Sequence, residues 1–105
     1  MGIRSERVDS VTRQYNVVGQ VFFASSAAFT ESFDFKEVNE KVIIDLHHAH
    51  FWDVTAVAAL DKVVMKFRRE GAEVELIGMN DASQTIVDRF GVHDKDGVSD
   101  ILESH

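Results

Sequence analysis

The spacing of apolar residues changes between Val42 and Phe67. Val42, Ile43, Ile44 and Leu46 form a short, almost unbroken apolar run, as expected of a strand covered on both faces. From Val57 onward the apolar positions fall at Leu60, Val64 and Phe67, a stripe along one side of a helix. Asp53 stands just before that pattern, where its carboxylate can accept from backbone N–H groups two and three residues on. A helix is therefore predicted over 54–70, and Gly71 takes the left-handed position that ends it. The His-rich segment His47–Trp52 is predicted as the intervening loop.

The rest of the chain reads in the same terms. Residues 1–12 are polar and mixed in charge, and read as a linker or a vector-derived segment, with the folded domain at 13–105. Gln14–Val18 and Gln20–Ala24 read as two strands joined around Gly19. Ser25 or Ser26 caps a first helix, with Glu31 in its first turn, Phe29 and Phe33 on one face and Phe35 closing it. Glu37 to Lys41 is a polar connection, and Glu73–Ile77 alternates as a strand does before Gly78. Asn80 or Asp81 caps a last helix, Gln84 completes a capping box and Gly91 stops it. Residues 92–105 are charged and weakly patterned, with Val98, Ile101 and Leu102 able to form one docked turn.

Two strands followed by helix–strand–helix–strand–helix predict an α/β fold, a small mixed sheet with a largely parallel core and helices packed on it. The right-handed crossover rule puts His47–Trp52 and the start of the following helix on one edge. Ligand crevices in open α/β sheets lie at that carboxyl edge.

Composition narrows the possibilities. A chain of 105 residues is one domain and buries roughly 65% of its unfolded surface. Hydrophobic residues at 45%, eight of them Phe, make an unstapled core feasible. The absence of Cys removes disulfides, thiolate chemistry and Cys-based zinc sites, and fits a reducing compartment. Eleven basic against 18 acidic residues give a net charge of −7, which argues against a nucleic-acid partner. No apolar run approaches the roughly 20 residues of a membrane span, and no signal-peptide pattern occurs. The chain by itself is expected to be soluble.

The candidate chemistry gathers at one edge. Asp53 as N-cap puts the Thr55 hydroxyl in the first helical turn, where the N–H groups and the dipole favour an anion. Asp53 and Thr55 are thus the candidates for a regulatory or phosphorylation switch. A cap and a first-turn residue are the plainer reading, and no complete catalytic constellation is present. His47, His48 and His50 suggest a metal, but no carboxylate pair or Cys completes a ligand set, and none is expected. Asp45 inside the apolar strand is expected to be hydrogen-bonded at the end of the sheet. Phe51 and Trp52 read as core or staple residues, although an exposed Trp52, with His50 beside it, would be a partner-binding candidate. Lys62, Lys66 and Arg69, with Arg68 adjacent, line the face opposite the apolar stripe. They suit a solvated helix C-terminal half, or a dock for an acidic partner or membrane headgroups. No Gly-Lys-Ser/Thr run supports nucleotide hydrolysis, and no cofactor is called for.

GQVFFASSAAFTESFDF at 19–35 and VIIDLHHAHFWDVTAVAALDKVVMKFRREGAEVELIGMN at 42–80 resemble the STAS domain. The resemblance covers about 14–95 and is strongest to the cytoplasmic C-terminal domain of SulP-family sulfate and anion permeases. STAS domains also occur as free-standing anti-sigma-factor antagonists, whose signature is Asp-Ser-Ser/Thr-Gly-Leu-Gly with the second hydroxyl residue phosphorylated. Here the run is Asp53-Val54-Thr55-Ala56-Val57-Ala58. The aspartate and the hydroxyl of Thr55 are kept, while the first Ser becomes Val54 and both glycines become alanine. That departure favours the permease branch over the phosphoswitch. The resemblance implies a non-catalytic regulatory or docking module at the cytoplasmic face of the plasma membrane. It would be joined to the transporter's own transmembrane domain and open to a cytosolic protein partner. Nucleotide binding enters only because some STAS proteins are proposed to do it.

Overall fold

The structure, a computed structural model, describes residues 1–89. Its strands are β1 (Gly2–Arg7), β2 (Thr12–Val21), β3 (Lys41–Phe51) and β4 (Glu73–Ile77). Its helices are α1 (Ser26–Glu31), α2 (Val54–Arg69) and α3 (Met79–Arg89). The strands form one sheet in the order β1-β2-β3-β4. β3 runs parallel to β2 on one side and to β4 on the other, while β1 forms an antiparallel edge on β2. The α/β class and the largely parallel core are those that the sequence predicts, and Val42–Leu46 lies on an interior strand.

Burial along β3 alternates. Val42, Ile44 and Leu46 are fully buried, whereas Lys41, Ile43 and Asp45 are partly exposed. The run is therefore fully covered on one face, not on both as its apolar character suggests. The covered face carries Tyr15 and Val17 of β2 and meets Ala56, Leu60, Val63, Val64 and Phe67 of α2 in one core. Aromatic rings fill it: Tyr15 lies 4.7 Å from Phe33 and 5.8 Å from Phe67, and Phe29 lies 5.1 Å from Phe33. Val57, predicted on the buried stripe, is only partly buried, and the buried side of the helix is centred on Ala56, Leu60, Val63 and Phe67 instead. The register places Gln14, Asn16, Ile43, Asp45 and Glu75 together on the second, largely polar face.

Several elements differ from the sequence reading. The predicted loop His47–Trp52 is strand as far as Phe51, because β3 carries a bulge. Pairing passes from Asn16↔Asp45 to Val18↔His48, so β3 has one residue more than β2 there. The slip resets the alternation, leaving Ala49 and Phe51 buried and His48 and His50 exposed. β2 is one strand, not two: Gly19 stays in register with Ala49. Its φ of 99° and the 3.1 Å separation of a notional Cβ from Met1 Cα fit glycine for close passage of the chain start. Residues 2–7, inside the segment read as a linker, form β1, and Ile3 alone among them packs against the core.

The helix ends also differ. α1 stops at Glu31, so Glu31 is its last residue rather than first-turn, and Phe33 packs from the following turn. Ser25 is its N-cap by position, but its hydroxyl accepts from the Phe22 N–H at 3.0 Å instead of capping the helix. α3 starts at Met79, one step after Gly78, so Asn80, Asp81 and Gln84 lie within it and neither Asn80 nor Asp81 is its cap. Gly78, at φ 77°, is pressed on β3: a Cβ there would stand 2.6 Å from the His47 backbone nitrogen. Gly91 and the turn at Val98, Ile101 and Leu102 lie outside the described residues. α2, Gly71 at φ 93° and β4 agree with expectation.

Candidate functional site: the carboxyl edge

β2 and β3 end together, with the Trp52 N–H donating to the Val21 carbonyl at 2.9 Å. The chains then diverge. After β2 a short 3₁₀ turn, Phe23–Ser25, leads into α1, while Asp53, in extended backbone, leads into α2. Asp53 Oδ1 accepts from the Ala56 N–H at 2.9 Å, which is the predicted cap. Its second oxygen, Oδ2, accepts from the Phe23 N–H at 2.9 Å. One carboxylate thus caps α2 and fixes the entry to α1. With both oxygens engaged, Asp53 is a structural clamp and is poorly placed to act as a general base.

Around this clamp the surface is apolar and exposed. Phe23 is 70% exposed, Val54 69% and Phe22 37%; the Phe22 and Phe23 rings meet edge-on at 5.9 Å. Half-buried Trp52 joins Gln20, Phe22, Phe23 and Asp53 around a shallow cleft of about 280 Å³. Exposed Thr55 faces a groove between α1 and α2 of about 370 Å³, whose rim includes Ser26, Thr30, Glu31 and Lys62. His50, exposed, is in register with Gln20.

The predicted residues therefore separate into two groups. Asp53, Thr55, Trp52 and His50 gather at the carboxyl edge, with Lys62 two turns along α2 on the same groove as Thr55. Lys66 holds its ammonium 4.6 Å above the Phe35 ring, and Arg69 lies in the last turn, roughly 20 Å from Thr55 at 1.5 Å per residue. Phe22, Phe23 and Val54 were not anticipated. The sequence pattern carries Phe22 and Phe23 in a strand through Ala24, whereas pairing ends at Val21 and leaves both exposed.

Asp45 is hydrogen-bonded as expected, but it lies within β3 beside the bulge and not at the end of the sheet. Its Oδ1 accepts from the His47 backbone N–H at 3.0 Å and lies 2.9 Å from the His47 ring nitrogen Nδ1. The backbone bond, aided by the ring, holds the Asp45 pKa below its ordinary value. Among the described residues no group of three or more His, Asp or Glu is placed to hold a metal ion. Nor is any helix among them long and apolar enough to cross a membrane.

Comparison with known proteins agrees with this architecture. Over 85 residues the chain is 47% identical to the putative sulfate transporter YbaR of Bacillus subtilis (strain 168), covering 81% of this chain but 18% of that protein. The chain thus spans less than a fifth of that relative's length. A solved STAS domain from Rhodobacter sphaeroides, described as an antisigma-factor antagonist, is 52% identical with a TM-score of 0.78, covering 80% of this chain and 92% of that one. The STAS domain of a SulP transporter from Vibrio cholerae shares the fold at 21% identity and a TM-score of 0.53, covering 96% of this chain and 74% of that one. The family profile of the STAS domain matches residues 3–104, essentially the whole sequence, and the chain belongs to that family.

Proposed function

We propose that this chain is the non-catalytic regulatory module of a SulP-family anion transporter. It would sit at the cytoplasmic face of the plasma membrane, joined to the transporter's own transmembrane domain. A cytosolic protein partner would meet it at the carboxyl edge. The observation that carries this reading is the 47% identity to a putative sulfate transporter over most of the chain. The site is consistent with it: exposed Phe23, Val54 and Phe22 suit a protein contact, and the Asp53 carboxylate is already committed to two backbone N–H groups. The test is anion uptake by the full-length gene product carrying Phe23→Ser or Val54→Ser. Altered uptake with unchanged expression supports the reading. A gene encoding no membrane-spanning segments would overturn it.

A second reading is favoured by the Rhodobacter relative at 52% identity: a free-standing partner-switch protein controlled by phosphorylation of Thr55. Thr55 is exposed in the first turn of α2, where the helix dipole would welcome a phosphate but the Asp53 carboxylate would repel it. Incubation with an anti-sigma-factor kinase and ATP separates the two. Phosphate on Thr55, lost in Thr55→Val, selects the switch; no incorporation leaves the transporter reading.

A further inference from the structure

The outward side of α2 carries a strip whose chemistry the carboxyl edge does not explain. The buried side of the helix is Ala56, Leu60, Val63, Val64 and Phe67. At about 100° per residue, Lys62, Met65, Lys66 and Arg69 fall together on the other side, and all four are exposed. Met65 is 58% exposed, so the strip mixes three cations with one bare apolar side chain. Arg68 flanks it, and the acids of the helix's exposed surface are Asp61 and Glu70. Across the groove, Glu31 stands near Lys62.

Among the described residues the ion pairs engage Arg7, Arg13, Lys41 and His47, and none of these α2 cations. Lys66 is held over the Phe35 ring, which fixes its position without cancelling its charge. Cations in a last helical turn complement the dipole, which accounts for Lys66, Arg68 and Arg69. It does not account for Lys62, one turn before Lys66, or for exposed Met65.

We infer that the outer face of α2 docks on an anionic bilayer surface, its cations against headgroup phosphates and Met65 at the boundary with the acyl chains. Charge complementarity selects this occupant. The chain carries −7 overall, so an anionic surface repels most of the molecule and admits it only by a locally cationic face. The strip also runs along a helix of 16 residues, roughly 24 Å at 1.5 Å per residue, a line of charges matched to a plane of headgroups. The inference does not depend on the transporter reading, since the isolated chain must show it.

The test is cosedimentation of the chain with phosphatidylcholine vesicles, with and without phosphatidylglycerol, at low and high salt. Binding is expected on the anionic vesicles alone, and high salt should release it. Each Lys or Arg near such a surface raises partitioning about fivefold, so Lys62→Gln/Lys66→Gln/Arg69→Gln should lower it about a hundredfold. Met65→Ser should weaken it without removing the salt dependence, while Arg4→Gln on β1 should leave it unchanged. Circular dichroism establishes that each variant is folded; if the triple variant is not, the single Lys62→Gln change carries the test, with about a fivefold loss expected. Equal binding to neutral vesicles, retention by the folded cation variants, or no binding at low salt overturns the inference. Anion uptake by the full-length product is a separate readout, so failure on vesicles leaves the functional reading standing.

Discussion

At the amino end of the parallel strands, Arg13 sets two guanidinium nitrogens on the Glu37 carboxylate at 2.9 and 2.7 Å. Asn39 donates to the same carboxylate at 2.9 Å and Arg7 approaches it at 3.2 Å. At the carboxyl end Asp53 makes two backbone bonds, and beyond them Phe22, Phe23, Val54 and Thr55 face outward. The first arrangement satisfies its polar groups within the chain and leaves little for a partner to engage. The second exposes apolar area and a hydroxyl beside a rigid helix start. Both rest on the same strands, β2 and β3, so one end can serve function while the other holds register.

The sharpest way to break that comparison is to attack what the two ends share. Leu46 is fully buried at the bulge between them, and Leu46→Ala should cost about 2–5 kcal/mol. Chemical denaturation followed by the fluorescence of Trp52, the single tryptophan, and by far-UV circular dichroism should give coincident transitions. Separated transitions would mean that the ends fold independently. A loss well under about 1 kcal/mol would mean that the Leu46 cavity relaxes fully.

Asp53→Ala should come next, within the about 0.5–2 kcal/mol of a lost N-cap. It also releases the Phe23 N–H, so its effect should lie toward the upper end. Asp53→Asn keeps one side-chain oxygen and can replace one of the two bonds, so an intermediate loss is expected. If Asn and Ala are equally damaging, both carboxylate oxygens are required together. If neither matters, the carboxyl end is not held by this clamp.

α2 and β4 were legible because each signal is local: a 3.6-residue stripe between Asp53 and Gly71, and an alternation from Glu73 to Ile77. The second half of β3 was obscured by its three histidines, whose polarity broke the apolar run. The period-two pattern of Ala49 and Phe51 against His48 and His50 was present, but displaced by the bulge at a place where only pairing with β2 reveals it. β1 was hidden because an edge strand with Ile3 as its core contact has almost no apolar pattern. For the site, a cap is a short-range event and Asp53 could be found; its second bond spans 30 residues and exists only after folding. The exposure of Phe22 and Phe23 follows likewise from where β2 stops.

The amino end should announce itself through pH. Hydrogen bonds from Arg13, then from Asn39, lower the Glu37 pKa from 4.5 to about 2. A carboxyl whose folded pKa is depressed contributes stability above its unfolded value, and loses it as pH falls through the folded one. The contribution should thus be complete above pH 4.5 and fade toward pH 2. Part of the Glu37 side chain is open to solvent, so screening makes this effect smaller than that of the clamp. Glu37→Gln should flatten that segment of the stability–pH curve and leave partner binding untouched. A binding defect would erase the division between the two ends.

Thr55 should show the smallest effect on stability and the most specific effect on function. It is exposed, so Thr55→Val and Thr55→Ala should shift stability by within about 0.5 kcal/mol. Thr55→Glu adds a charge to the first turn, which the dipole favours and the nearby Asp53 carboxylate opposes. Those two influences offset in stability, but both act on the surface that a partner would touch. The comparison therefore predicts a near-silent unfolding curve with altered partner binding, or altered anion uptake by the full-length product, for Thr55→Glu. Thr55→Val serves as the control that keeps shape without charge. If Glu and Val behave alike in binding and uptake, charge at this position is not read, and the exposed Phe23 and Val54 are left to carry recognition at the carboxyl edge.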